Sequence, residues 1–552
     1  MNALHAVLLL CIGASTIGLH LRTTRSASNF VSFLGDSGVP MPSTKRLLSL
    51  AFEVGRLKNL TLAHGTFYFA PHSQEVEIVP NHEPSWNAVQ RELLDDEIVD
   101  VERERERCAR YNFKLADEAN PRRRRLFMGA LIGDDSMEVL RAVSTEAYDI
   151  YHTVSFIEGF QAHDLSHREM NYYDPTTPSE NLNTLLQLFG PKTKVSVDYY
   201  NTTMTELVGQ HGSLFMDFVG REGNTHRWAM NGMKEDDVGI IGDADEVFTR
   251  DFLRAMQICD IPEFRKGQSC IEAQVKASTL VYESSPNCLT RDRRWFHPDA
   301  ILGECVDNVG NATLHPPTKR DYVDKHGLEM EGYGAGGSDF RPNYTLYHKD
   351  GLVPSNTYPL WHGTDIRMKF SGSTYGKNDG SATGYHFHNN FKSAEEIHVK
   401  YATYGHAKGE LAFKMPMWAL HPEDIGLAVD CANGKGDLYL DFNNSGGSAL
   451  PIYYLNEDVR NKRHQHWKSI VKDEEEYWSK KIDAMQPLEN ENKDCWMVCG
   501  EKSGECPHFC GKNGVCCQVG AINSAPECVN RTLGCDGREC CVAASNVSNG
   551  SQ

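Results

Sequence analysis

The chain lacks a second long apolar run, a net positive charge, and the sequence signatures of the commonest hydrolases and nucleoside triphosphatases. Past the N-terminal segment nothing approaches the ~18 uninterrupted apolar residues that mark a membrane-spanning helix, so no second span is expected. With 56 Lys and Arg against 75 Asp and Glu in 552 residues, the formal charge is −19. That balance argues against nucleic acid or an anionic membrane as partner, because both reward a basic surface. Gly-x-Ser-x-Gly, Walker A and His-Glu-x-x-His sequences are missing, which weakens serine-hydrolase, NTPase and zinc-protease readings.

Cysteine, in contrast, is abundant. Ten of the 17 fall between Cys495 and Cys541. A segment of that length, rich in Gly and Pro and poor in aliphatics, cannot bury enough core and needs staples. Disulfides are expected there, five of them; the adjacent pairs Cys516-Cys517 and Cys540-Cys541 disfavour zinc. An oxidising compartment follows. The apolar run Ala6–Leu19 suits a signal-peptide core or, extended, a type II anchor, and residues 1–21 are read as one or the other. Eight Asn-x-Ser/Thr sites fit passage through the secretory pathway, towards the Golgi lumen or the exterior.

Residues 22–124 are polar and end in the charge run Glu102–Arg107 and the cluster Arg122–Arg125, so they are read as a stem or accessory region with a solvated helix face. From 125 to 455 strand and helix signals alternate. Apolar strand runs at Leu126–Ile132, Ile150–Ile157, Thr193–Asp198 and Asp237–Gly242 are separated by helical stretches near Ser136–Ala147 and Leu214–Met233. Such alternation predicts an α/β fold, a mostly parallel sheet covered by helices. Val459, Trp467, Ile470, Val471, Tyr477, Trp478, Ile482 and Met485 recur at helical spacing, giving an amphipathic helix within 456–493; a cysteine-rich module occupies 494–552.

The strongest chemical signal is Asp236-Asp-Val-Gly-Ile-Ile-Gly-Asp243-Ala-Asp245-Glu246-Val. A buried strand delivers Asp243 and Asp245 at its carboxyl end, where open α/β sheets bind ligands. Carboxylates at i and i+2 on an extended backbone point the same way and could share one divalent cation. A helix-capping cluster before Arg250 is the structural alternative.

That string, with Arg250 downstream, resembles the signature of glycosyltransferase family 17, the β-1,4-mannosyl-glycoprotein β-1,4-N-acetylglucosaminyltransferases. Gly384-Tyr-His386-Phe-His388-Asn-Asn-Phe391, followed by Ile397, Lys400, Tyr404 and His406, is similar to a second segment of that family, with Tyr385 in place of Trp. The strand ending at Glu158 is a weaker third match. The resemblance implies a GT-A-like fold, an inverting N-acetylglucosaminyltransferase of N-glycan processing, a UDP-sugar donor, a glycan acceptor and Mn²⁺ or Mg²⁺. Asp243, Asp245 and His386 are the expected metal ligands, with His388 a rival to His386. Glu246 and Arg227 are expected at the donor, and Arg221 could contact phosphate or base. Glu331, Asp339 and Asp365 are candidates for the base that deprotonates the acceptor hydroxyl. The competing reading is a secreted or surface carbohydrate-binding protein built on a degenerate transferase domain.

Overall fold

Two sheets meet at the acidic motif. The computed structural model describes residues 58–62, 65–78, 99–119, 121–133, 135–162, 170–172, 179–202, 220–266, 273–306, 309, 312–315, 345–348, 351–352, 363–368, 372–376, 382–403, 409–435, 450–484, 508–510, 515–518 and 540–542. The N-terminal apolar segment, Glu331, Asp339 and His406 lie outside them, as do the side chains of the cysteine-rich module, whose strands His508–Cys510, Val515–Gln518 and Cys540–Val542 form a three-stranded sheet.

The larger sheet has nine strands: β1 (Lys58–Leu62), β2 (Gly65–Phe69), β3 (Leu126–Ile132), β4 (Tyr151–Gly159), β5 (Lys194–Thr202), β6 (Val238–Asp243), then, past β7 (Glu246–Phe248) of the second sheet, β8 (Gln274–Ala277). Chain order continues with β9 (Thr279–Glu283), β10 (Leu289–Trp295), β11 (Asp299–Leu302), β12 (Ser373–Tyr375) and β13 (Gly384–His388). Across the large sheet the order is β1-β2-β5-β4-β3-β6-β11-β8-β12, and across the smaller one β10-β9-β13-β7. The fold class is α/β, as the alternation predicts.

The centre, β5-β4-β3-β6, is parallel. Buried on both faces, its strands read as continuous apolar runs, and every residue of β3 except Leu131 is buried. The flanks depart from the expected mostly parallel sheet, since β2, β11 and β8 each make antiparallel pairs. Helix α1 (Val101–Ala109) precedes the core; α2 (Met137–Ala147) and α3 (Glu180–Leu188) make the crossovers from β3 to β4 and from β4 to β5. Ser136 starts α2, its hydroxyl accepting from Val139 N at 3.2 Å. Because β6 lies on the other side of β3 from β4, the winding reverses between β3 and β6. Open α/β sheets bind ligands at the carboxyl ends of strands at such a reversal, and here Leu131 is in register with Asp243.

Helix α4 (Glu222–Met230) is seated by Trp228, whose Nε1 donates to Met128 O at 3.1 Å. A Cβ on Gly239 would come within 2.3 Å of that indole, so glycine is required for the approach. After β7, helix α5 (Arg250–Ile258) starts at Thr249 and is joined to α1 by the disulfide Cys108–Cys259. Helix α6 (Gly363–Met368) reaches α4 at Gly363, where a Cβ would lie 2.1 Å from Arg221 O.

The reading of 22–124 as a stem is corrected for its described part. β2 pairs with β5 within the sheet, and α1 is not simply a solvated face. Glu104 and Arg107 are buried and paired with one another, and Arg107 Nε donates to Asp251 at 3.0 Å. Arg124 and Arg125 flank β3 as structural residues, donating to Met256 O and to Asp237.

Helices α7 (Ala394–Thr403), α8 (Leu427–Ala432) and α9 (Glu457–Ala484) cover a second apolar cluster that includes Phe391, Ile397, Leu420, Trp467, Ile470 and Val471. The disulfide Cys288–Cys431 pins this layer to the turn after β9. On α9 the expected apolar stripe is present at Trp467, Ile470, Val471 and Trp478, whereas Tyr477 is 54% exposed. No helix among the described residues is long and apolar enough to cross a membrane.

His464 on α9 is buried, with Nδ1 2.9 Å from Ser285 Oγ, and burial pushes its pKa down from 6.5 to about 4. Its neutral form is the one folding favours. The stability it contributes is therefore full above pH 6.5 and lost as the pH falls through about 4. His464→Gln should flatten the acid limb of urea-midpoint against pH between 6.5 and 4; an unchanged limb would refute the assignment.

Candidate active site

β6 stops at Asp243; Ala244 and Asp245 form a turn, and β7 begins at Glu246. The acidic motif thus spans the joint between the two sheets. The backbone does not stay extended across it, which corrects the expectation that Asp243 and Asp245 point the same way. They face different partners.

Asp243 is gripped by two guanidinium groups. Arg221, which precedes α4, donates to Oδ1 and also to Gly242 O at 2.7 Å, while Arg367 of α6 donates to Oδ2 at 2.7 Å. Burial opposes ionisation of Asp243, but Arg367 and Arg221 outweigh it and hold the carboxyl well below the usual range. Both oxygens are occupied by cations already, so Asp243 does not fit as a direct metal ligand.

Asp245 faces His386 instead. β13 pairs antiparallel with β7, placing His386 opposite Glu246, and Phe387 N donates to Asp245 O at 2.9 Å. His386 Nε2 lies 3.5 Å from Asp245 Oδ2. Burial works against charge on both groups, yet their mutual attraction wins: Asp245 is lowered and His386 is raised to about 9. Two donor atoms 3.5 Å apart can each lie ~2.1 Å from one divalent ion once the imidazole has lost its proton. This oxygen and nitrogen pair fits Mn²⁺ as a partial ligand set, completed from outside the chain.

Glu246 is 1% exposed. It accepts from Arg367 Nη1 and Nη2 at 2.6 and 2.8 Å, from Asp243 N at 2.9 Å, and from Trp295 Nε1. The expected donor-contact role is corrected: Glu246 is the internal anchor that holds Arg367 under the motif. Arg367 in turn lies over the Trp295 ring, 5.9 Å from its centroid, and that ring stacks on His386 at 5.5 Å.

Arg227 is corrected as well. It is 3% exposed, its Nε donates to Asp198 Oδ2 at 2.8 Å and its Nη2 to Ala70 O at 2.7 Å, an internal structural pair. Arg250, also buried, donates to Tyr148 O at 2.8 Å and secures α2. His388 is not beside Asp245; its Nδ1 is 2.9 Å from Glu283 Oε1, which leaves His386 as the motif's histidine. Asp365 lies on α6, two residues before Arg367, with its side chain outside the described atoms.

Glu158 ends β4 fully buried, and its carboxylate accepts from Asn171 N at 2.6 Å and Tyr172 N at 3.2 Å. It ties this segment to the ends of the central strands, because Asn171 Nδ2 donates to Gly133 O at 2.9 Å just past β3. Arg367 and Trp295 were missed by sequence reasoning. Each lies at least 49 residues from the acid it contacts, in a stretch with no periodic signal. The cluster sets three acidic side chains, Asp243, Asp245 and Glu246, against Arg221, Arg367 and His386.

No protein family and no curated protein matches the chain.

Proposed function

We propose that the protein is a metal-dependent, inverting glycosyltransferase that moves a sugar, N-acetylglucosamine from a UDP donor, to a glycan acceptor in the Golgi lumen or elsewhere on the secretory route. The observation that carries the reading is the pairing of Asp245 with His386 at the end of a central strand, where the winding of the sheet reverses, with two arginines on the neighbouring Asp243.

The chemistry follows from charge. As the acceptor hydroxyl attacks the anomeric carbon, the bond from that carbon to the diphosphate oxygen breaks, and its electron pair leaves with the diphosphate. A divalent ion held by Asp245 and His386 would neutralise that growing negative charge. Asp245 binds and orients at this point, while Arg221 and Arg367 keep Asp243 ionised and place positive charge behind it. The hydroxyl proton passes to a carboxylate, for which Asp365, Glu331 and Asp339 are the candidates. Trp295, 41% exposed, stacked on His386 and with Arg367 over its ring, puts aromatic surface beside the pair against which a sugar could rest.

Binding stabilises the native state by mass action, about 2.7 kcal/mol at a hundredfold excess over Kd. A melting-temperature rise of a few degrees beyond that produced by Mn²⁺ alone is expected with UDP-N-acetylglucosamine plus Mn²⁺, and none with the donor alone at the same concentration. A screen of UDP-sugars with Mn²⁺ that gives no shift would sink the reading. A shift with glycan alone, without turnover, would support the carbohydrate-binding alternative.

A further inference from the structure

Two residues along β13 from His386 a second donor set converges. Glu283 ends β9 and is 1% exposed; His388 ends β13; Asp424 lies in the helical turn Pro422–Gly426 and is 6% exposed. One ligand atom from each lies within 4.8 Å of the others. His388 Nδ1 is 2.9 Å from Glu283 Oε1 and 3.9 Å from Asp424 Oδ2. The parallel register of β9 on β13 sets Glu283 opposite His388, so the two side chains share one face of the small sheet.

We propose that Glu283, His388 and Asp424 form a site for a divalent transition-metal ion, separate from Asp245 and His386. Two buried carboxylates directed at one imidazole nitrogen make a compact set of one nitrogen and two oxygens, which suits Zn²⁺ or Mn²⁺ and is too small and too nitrogenous for Ca²⁺.

A second histidine supplies an independent observation. The Nδ1 of His421 is buried and lies 2.9 Å from Asp424 Oδ2, yet it makes no hydrogen bond among the described residues. The two atoms are at ion-pair distance, a separation that two ligand atoms of one ion can also share. His421 is therefore a fourth donor or the outer partner that orients Asp424.

The site has a structural consequence. Its ligands come from β9, β13 and the 422–426 turn, and a bound ion would fix the end of the strand that carries His386. The proposal does not rest on the transferase reading.

The test is calorimetric titration of chelator-stripped full-length protein with Zn²⁺ in an Asp245→Ala background, which silences the first site. One equivalent is expected in that background. Adding Asp424→Asn or Glu283→Gln, both nearly isosteric, should weaken binding at least 100-fold. No binding in the Asp245→Ala protein, or unchanged binding after either addition, overturns the proposal. If the double variants fail to fold, Co²⁺ added to the Asp245→Ala protein serves in their place. New visible absorption at one equivalent supports coordination by imidazole and carboxylates, and a spectrum no different from the aqueous ion overturns it. One equivalent in the Asp245→Ala background, with no sugar transfer by the wild type, would leave this site standing and end the transferase reading.

Discussion

Asp245→Ala is expected to lower Mn²⁺-dependent turnover of the UDP-sugar by at least about 10²–10³-fold, the size of loss seen when one electrostatic group aimed at a developing charge is removed. The protein should remain folded. Asp245 has a single described side-chain partner, His386, and burial by itself drives that imidazole towards its neutral form. Once the carboxylate is gone His386 can shed its proton, so no buried charge is stranded. Far-UV dichroism and the melting temperature should stay close to wild type, and the donor-induced melting shift should vanish. Turnover retained in a folded Asp245→Ala protein would mean that the ion, if one is used, sits elsewhere.

Arg227→Met should act in the opposite way, with a large loss of stability and no direct effect at the donor site. Removing one partner of a buried ion pair costs about 3–5 kcal/mol, because the other charge is left without compensation. Asp198 is fully buried, its Oδ1 also accepts from Ala70 N at 2.9 Å, and burial already raises its pKa despite the opposing pull of Arg227. Urea denaturation of the variant should register most of that loss, and Asp198→Asn added to it should recover part. The melting shift produced by UDP-sugar and Mn²⁺ should persist, since the guanidinium points into the protein. Full stability with a lost donor response would restore Arg227 to the substrate.

Much of the architecture was legible because the central strands are buried on both faces. Leu126–Ile132 and Val238–Asp243 could hardly be read otherwise, and the helical stretch near Ser136–Ala147 stood out between two apolar strand runs. Local strings singled out Asp243, Asp245 and His386 as candidates, and the last two lie 3.5 Å apart. What could not be read is pairing over distance. The choice of Arg367 by Asp243 and Glu246 spans more than 120 residues and leaves no mark on either stretch. The same blindness made Glu102–Arg107 look solvated, since burial of Arg107 depends on Asp251 far downstream. The turn at Ala244 was hidden for another reason: nothing in Asp-Ala-Asp-Glu demands a break, and it is the pairing of β7 with β13 that imposes it.

The contact of Gly363 with Arg221 carries a lesson for comparing sequences. A single methyl group there would act as a wedge, prising α6 off α4 and drawing Arg367 away from the motif over a hundred residues upstream. Distant kin that keep this centre should therefore be sought by the spacing Gly363-Thr-Asp-Ile-Arg367 together with the acids, and a chain that keeps the acids but fills that hollow would have had to rebuild its counter-charge from another quarter.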